Sequence, residues 1–542
     1  MLRNSLGADL FCLLAILAIA GCEGDGSGGA APKVILRSTP ECIVFAGGFP
    51  SGAVLLPGAG NEAAVVQFIP TAVLGLDLDR EPPQLLTSNP IPGFPELRCD
   101  RCGGILQVDS DSDGEPDACR SDELGFSCLS PAAGSLLAID DSLVALSTSS
   151  YEQIVLLDPQ DGGLRDLDLD TPSASATFDP ADFPFWPPVG TRPTRSALST
   201  RACVYGDGLF DSLADPVGPS PFCDPARNGF VTRFTAGAAL AGDRLFVATS
   251  NLVRSSRAQF DPGTVLVFEF DQTVDPPVAR PDAATPILLT SGFNPTSVTP
   301  YTTPSGRHLV LVAVSGAIAL DTGPDLVRTE SAIDVIDAAT RRLIATIPLG
   351  LAGLGFAPIA VDATNRLGLM GAATSRALFG IDLAALDDPL LGLGPEPLPI
   401  VLDGSTPGFL DARIFDADAP FVLPRRPDGP PPNQCATQTS VALARTTSRG
   451  VTTDFCDGTV SVLSLSLPAS RTASLDPLSL IAIERVQNVA APIVDDATGQ
   501  LRAIDRALIR PGTPGLDFSG PDVYFTAGLP EGAVCGVRVD AL

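Results

Sequence analysis

The residues best suited to chemistry lie in one short acidic run, Asp109-Ser-Asp111-Ser-Asp113-Gly114-Glu115-Pro116-Asp117. Calcium is a hard cation that takes about six to eight oxygen ligands, and aspartates at alternate positions around a glycine turn supply them. In a twelve-residue calcium loop Asp109, Asp111, Asp113 and Asp117 would occupy positions one, three, five and nine. Glu115 would offer its backbone carbonyl at position seven. The bidentate acid expected at position twelve is replaced by Arg120. The run therefore predicts a structural calcium site, with a solvated acidic loop as the plain alternative.

Other chemistry is sparse. His308 is the sole histidine, so any Ser-His-Asp or Cys-His mechanism must use it. It stands between a turn and a strand in Ser305-Gly-Arg-His308-Leu, with no Gly-x-Ser-x-Gly elbow to partner it, and reads as an exposed turn residue. Asp166, Asp168 and Asp170 are clustered acids in a chain holding 63 of them, and read as solvated surface. Trp186, in Phe183-Pro-Phe-Trp186-Pro-Pro, reads as packing within an insertion. No glycine loop is placed to cradle phosphate between a strand and a helix. The net charge of −29 excludes nucleic acid as a partner, because phosphates require a basic surface.

The acidic run with its following cysteines, Cys119 and Cys128, resembles a thrombospondin type 3 calcium repeat, though that family has several copies and this chain one. At the N-terminus, Met1-Leu2-Arg3-Asn4 is followed by an apolar stretch from Leu10 to Ala20, too short to span a bilayer. Ile19-Ala20-Gly21-Cys22 then resembles the lipobox of bacterial lipoproteins. The resemblance implies that residues 1–21 are a removed signal peptide and that Cys22 carries lipid, anchoring the protein to a membrane of the cell envelope. Glu23 stands where the family often uses Asp for inner-membrane retention, which favours the outer membrane. Residues 22–31 are a flexible, lipidated tether.

Ten cysteines remain after Cys12 and Cys22: Cys42, Cys99, Cys102, Cys119, Cys128, Cys203, Cys223, Cys435, Cys456 and Cys535. An even number in an exported chain predicts disulfides. Short separation favours Cys203 with Cys223 and Cys435 with Cys456. Zinc is the alternative for Cys99-Asp-Arg-Cys102. Haem attachment fails, since Gly103 stands where that motif needs histidine.

The elements that must position these residues are strands. With 52 glycines and 52 prolines spread along the chain, helical periodicity is poor. A pair of alternating strands recurs seven times instead. The later strands run Ala72 to Leu78, Gln153 to Asp158, Thr264 to Asp271, Ala332 to Asp337, Ala377 to Asp382, Thr459 to Leu465 and Ala533 to Asp540. Their predecessors run Ala63 to Ile69, Leu143 to Thr148, Arg244 to Thr249, His308 to Val314, Arg366 to Gly371, a poor one at Ser440 to Arg445, and Asp522 to Ala527. The units at Ala332 and Ala377 lie 45 residues apart, the length of a four-stranded propeller blade. Pro295-Thr-Ser-Val-Thr, Ser305-Gly-Arg-His-Leu-Val-Leu-Val-Ala313 and Ile333-Asp-Val-Ile-Asp-Ala338 resemble YVTN and quinoprotein-like propeller repeats.

The fold expected is thus all-β: a seven-bladed β-propeller over 32–542 with long loop insertions at 87–134 (cysteine-rich, with the calcium loop), 168–236, 271–300, 386–440 and 476–516. A pair of β-sandwiches or an irregular solenoid is the rival. Three successive prolines make Asp428-Gly-Pro430-Pro-Pro432 a loop. The seventh unit, Asp522 to Leu542, needs an outer strand. Lys33-Val-Ile-Leu-Arg37 is expected to fill that place beside Ala533 to Asp540, and a Cys42–Cys535 bond requires Cα atoms within about 7 Å. The function expected is a cell-envelope scaffold that binds a protein or glycan partner through loops on a rigid frame. The alternative is a propeller enzyme of lyase, lactonase or cofactor-dependent dehydrogenase type, using a carboxylate-bound calcium.

Overall fold

The computed structural model describes residues 36–38, 42–45, 50–57, 62–67, 72–80, 83–86, 107–108, 118–119, 133–148, 153–160, 197–200, 202–205, 210–212, 229–252, 260–274, 277–317, 329–351, 353–355, 357–364, 366–373, 377–387, 391–392, 398–399, 421–422, 438–444, 449–454, 459–465, 483–488, 503–509, 523–528 and 532–537. They form a β-propeller. Among them, seven sheets have four or five strands, antiparallel but for one outer pair, and no helix is long and apolar enough to cross a membrane.

Each sheet runs outward from an innermost strand in sequence order. The fourth shows the plan: Pro295–Thr302, His308–Val314, Ala332–Asp337 and Arg342–Pro348, with Leu398–Pro399 added in parallel outside. The first begins at Pro50–Leu55, the second at Ala133–Ala138, the third at Thr235–Ala241, the fifth at Ala360–Asp362 and the sixth at Gln438–Ala444. A closing sheet joins both ends of the chain. Its order is Ala503–Ile509, Val523–Gly528, Gly532–Val537, Cys42–Phe45, Leu36–Ser38. Its innermost strand touches those of the sixth and first sheets, so the ring returns on itself.

Burial explains the pattern. In His308–Val314 the residues Leu309, Leu311 and Ala313 pack toward the fifth sheet with Ile359, Met370 and Ile381. Val310, Val312 and Val314 pack toward the third with Phe246, Val265 and Val267. All six are fully buried. A strand between two neighbouring sheets has no solvent face, so it reads as a continuous apolar run rather than an alternating one. At about 25 cal/mol per Å² of apolar surface, these interfaces between sheets are the main source of stability. The same two-sided packing joins the first sheet to the second, the second to the third, and the closing sheet, through Val534, to the first.

Six sequence expectations need correction. The closing sheet does mix strands from both ends, but Cys42–Phe45 lies beside Gly532–Val537, and Leu36–Ser38 pairs only with Cys42–Phe45. Lys33 to Arg37 is therefore not the strand beside Ala533 to Asp540. Of Ser440 to Arg445, the residues 440–444 belong to the innermost strand Gln438–Ala444; the partner of Thr459–Leu465 is Arg449–Asp454, whose polar Arg-Gly-Val-Thr-Thr-Asp hides a buried position. Residues 271–300 are not a simple insertion. Val278–Pro281 and Ile287–Phe293 form the interrupted outer strand of the third sheet, and Pro295 starts the fourth. Within 476–516, Ile483–Asn488 and Ala503–Ile509 are likewise an outer and an innermost strand. Within 168–236, Ala197–Ser199 is the outer strand of the second sheet and Thr235 begins the third. Within 386–440, Phe421–Val422 is the outer strand of the fifth sheet and Gln438 begins the sixth.

Candidate binding face

Strand direction gives the propeller two faces. The upper face carries the connections from second to third strand and from each outer strand to the next innermost one. The lower face carries the rest. At the upper end of six innermost strands the ladder slips at the same level: Pro50/Gly52, opposite Leu146/Thr148, Thr235/Gly237, Pro295/Ser297, Gln438/Ser440 and Ile504/Ala507. A β-bulge of this kind bends the strand and re-aims its peptide groups. Small residues follow it: Gly52, Ser135, Gly237, Ser297 and Ser440. The closing sheet differs, with Asp505 and Arg506 at this level.

Gly237 shows why small residues are needed. A Cβ there would stand 3.4 Å from Ser135 Oγ of the second sheet and 3.4 Å from Ser297 Cα of the fourth. Three innermost strands converge at this level, and longer side chains would push them apart. Thr235 and Pro295 are each entered through a left-handed residue, Phe234 (φ 57°) and Asn294 (φ 55°). Asn tolerates that conformation, whereas Phe is held there against its preference.

Below this rim runs a set of buried hydroxyls joining the fourth sheet to the segment that enters the fifth. Ser331 Oγ donates to Ser315 O (2.7 Å) and accepts from Gly353 N (2.9 Å). Ser315 Oγ accepts from Leu354 N (2.9 Å) and donates to Leu354 O (3.2 Å). Thr296 Oγ1 donates to Gly355 O (2.9 Å), and Thr299 Oγ1 accepts from Ile359 N (2.8 Å). These residues give irregular backbone the partners that a ladder would supply. In the third sheet Thr235, Thr249 and Thr264 face one another across three strands, tied to Thr200 and Asn251. Ser297 Oγ is the exception: it is buried among these groups with no hydrogen-bond partner.

The lower face is ionic. Asp282, buried in the break of the third sheet's outer strand, accepts from Arg244 Nε at 3.0 Å and from the Ala284 and Thr285 amides. Arg341, from the neighbouring sheet's turn, reaches its Oδ1 at 3.4 Å. Burial pushes the Asp282 carboxyl up, but the Thr285 amide and Arg244 outweigh it and hold it below the usual range. Asp337 repeats the theme: burial is outweighed by the Thr340 amide and Arg307. Between sheets, Asp334 is fully buried and accepts from Ser291 N (2.7 Å) and Thr346 Oγ1 (2.9 Å). Burial raises its carboxyl above the ordinary value.

Of the residues singled out in the sequence, those described are Cys42, Cys119, Cys203, His308 and Cys535, and the structure sets Cys42 opposite Cys535. His308 starts a strand on the lower face, exposed, with Nδ1 3.0 Å from Thr302 Oγ1. Asp109, Asp111, Asp113, Glu115 and Asp117 lie outside the described residues, but their flanks pair: Gln107–Val108 is antiparallel to Ala118–Cys119. Cys22, Cys99, Cys102, Cys128, Cys223, Cys435, Cys456, Asp166, Asp168, Asp170, Trp186 and 428–432 also lie outside the described residues. Cys203 sits on Ala202–Tyr205, the centre of a small three-stranded sheet. Among the described residues no group of three or more His, Cys, Asp or Glu side chains is placed to hold a metal. The bulged rim was not anticipated. Its trace in the sequence is the recurring small residue after Pro50-Ser, Ala133-Gly, Thr235-Ala, Pro295-Thr and Gln438-Thr.

No protein-family model and no curated protein sequence matches the chain. Solved structures resemble it as folds. The β-propeller domain of Cps50 (Swd1) from Myceliophteria thermophila aligns with 92% of this chain and 99% of its own at 11% identity, TM-score 0.41. Hydrazine synthase from Kuenenia stuttgartiensis covers 95% and 99% at 9% identity, TM-score 0.45. Virginiamycin B lyase from Staphylococcus aureus covers 90% and 95% at 7% identity, TM-score 0.38.

Proposed function

We propose that this chain is a lipid-anchored, seven-bladed propeller of the cell envelope that binds a protein or glycan partner on its upper face. The observation that carries the binding reading is the bulged rim, where the small buried residues Gly52, Ser135, Gly237, Ser297 and Ser440 draw the innermost strands together and hold the upper-face connections on a rigid frame. The seven sheets of four or five strands support the blade count. The lipobox at Ile19-Ala-Gly-Cys22 supports export and anchoring, with the outer membrane favoured. Calcium at Asp109, Asp111, Asp113, Glu115 and Asp117 would stiffen a loop whose ends are already joined by the ladder on either side.

Cross-linked capture from native membranes tests the binding reading. Replacing the segment that joins Leu252 to Phe260, a bridged pair at the upper face, with a Gly/Ser linker should reduce recovery of an envelope partner at least fivefold. Replacing the segment between the paired Asp271 and Val278, at the lower face, should leave it unchanged. Equal recovery from both variants sinks the assignment of the face. Cys22→Ser should abolish acyl labelling; persistent labelling would overturn the anchor. Calorimetry should show calcium uptake by the wild type that Asp111→Ala plus Asp113→Ala removes.

A further inference from the structure

We infer that Cys42 and Cys535 form a disulfide that closes the propeller covalently and takes the pull of the membrane anchor. Cys535 is disulfide-bonded and 2% exposed, on the third strand of the closing sheet. The residue opposite it in the ladder is Cys42, in the register Cys42↔Cys535, Ile43↔Val534, Val44↔Ala533, Phe45↔Gly532. Directly opposed residues of antiparallel strands stand about 4.5–5.5 Å apart at Cα. A disulfide spans about 4.4–6.8 Å. No other cysteine occurs in the strands of this sheet.

Formation needs an oxidant, here an extracytoplasmic thiol–disulfide oxidoreductase or a small-molecule disulfide. One cysteine thiolate attacks the external disulfide and expels one of its sulfurs as a thiolate. The second cysteine thiolate then attacks the mixed disulfide, forming the Cys42–Cys535 bond. The external couple leaves as a dithiol, reduced by two electrons, and the two protein thiols have lost their protons.

The mechanical consequence rests on the proposed lipidation of Cys22. A pull on the tether meets Leu36–Ser38, which pairs only with Cys42–Phe45, and then enters the ring through the strand containing Cys42. That strand is short, with four residues in register with Gly532–Val537. Hydrogen bonds alone would open one pair after another. The disulfide instead passes the load to Gly532–Val537, which is also paired along its far edge with Val523–Gly528.

Full-length protein, solubilised from whole cells in detergent, alkylated without reduction and digested, should yield a peptide pair joined through Cys42 and Cys535 that separates on reduction. Cys535 joined to any other cysteine, or Cys42 alkylated as a free thiol, overturns the bond. The same map on the Cys22→Ser variant should retain the link, since the latch forms independently of lipid. Single-molecule pulling from the N-terminus should detach Cys42–Phe45 from Gly532–Val537 at a force at least twofold lower after Cys42→Ala plus Cys535→Ala. Equal detachment forces would overturn the mechanical role while leaving the mapped bond intact. Failure of acyl labelling at Cys22 would remove the anchor without altering the peptide map, so the two readings fail separately.

Discussion

Ser315 is the most informative position at which to test how the propeller is held together. Its Oγ serves Leu354 twice, accepting from the amide at 2.9 Å and donating to the carbonyl at 3.2 Å. Leu354 has no replacement in the ladder. It forms an isolated bridge with Ala372, and the bonds beside that bridge run from Gly355 N to Gly371 O and from Ala373 N to Gly353 O. Both Ser315 and Leu354 are fully buried. Ser315→Ala therefore strands one N–H and one C=O, each costing about 1–3 kcal/mol. A water entering the vacated space offsets part of this, leaving a loss of about 2–4 kcal/mol. Unfolding entropy of about 2.1 cal/mol/K per residue over roughly 500 residues converts that to about 2–4 °C in Tm. Ser297→Ala is the matched control, because its buried Oγ has no partner to lose. Removing that hydroxyl should leave stability unchanged or raise it by about 1 kcal/mol. Calorimetry reads both variants, and hydrogen exchange at the Leu354 amide should quicken in the first alone. Equal destabilisation by the two substitutions would refute the reasoning.

Asp334 gives a pH signature. Its folded carboxyl lies above the unfolded value because of burial, so its burden on the fold is absent below the unfolded value and grows as pH rises through the folded one. Asp334→Asn should flatten that part of the stability–pH profile in urea titrations. Asp282 and Asp337 act in the opposite sense: their lowered carboxyls contribute stability above the unfolded value that is lost as pH falls through the folded one. Arg244→Ala should destabilise more than Arg341→Ala, since Arg244 makes a 3.0 Å hydrogen bond to Asp282 whereas Arg341 Nε only approaches it at 3.4 Å; denaturation midpoints would rank them. Deleting residues 33–38 should cost less than about half the stability lost on deleting 33–45, because only the second removes the strand on Gly532–Val537; similar melting of the two would contradict the register.

The sequence by itself determined the two middle strands of six of the seven sheets. Runs such as Leu309-Val-Leu-Val-Ala-Val314 are apolar at every position because a middle strand is covered on both sides, and that burial writes itself into composition. The sixth sheet escaped because Arg449-Gly-Val-Thr-Thr-Asp454 buries threonines that look like surface. Innermost and outer strands were less legible for different reasons. Near the axis strands crowd, so Gly237, Ser297 and their equivalents are small and polar and read as turns. At the periphery one edge is open, and proline is tolerated, as in Val278–Pro281. Tertiary structure alone decided which N-terminal segment closes the ring. Lys33 to Arg37 and Cys42 to Phe45 are both short and apolar, and local preference cannot choose between them. The choice depends on a register made with residues almost 500 positions away, where Cys42 meets Cys535 and Val534 packs into the first sheet. The hydroxyl partners of Leu354 and the rim around Gly237 are likewise properties of neighbouring sheets brought together, and no single strand encodes them.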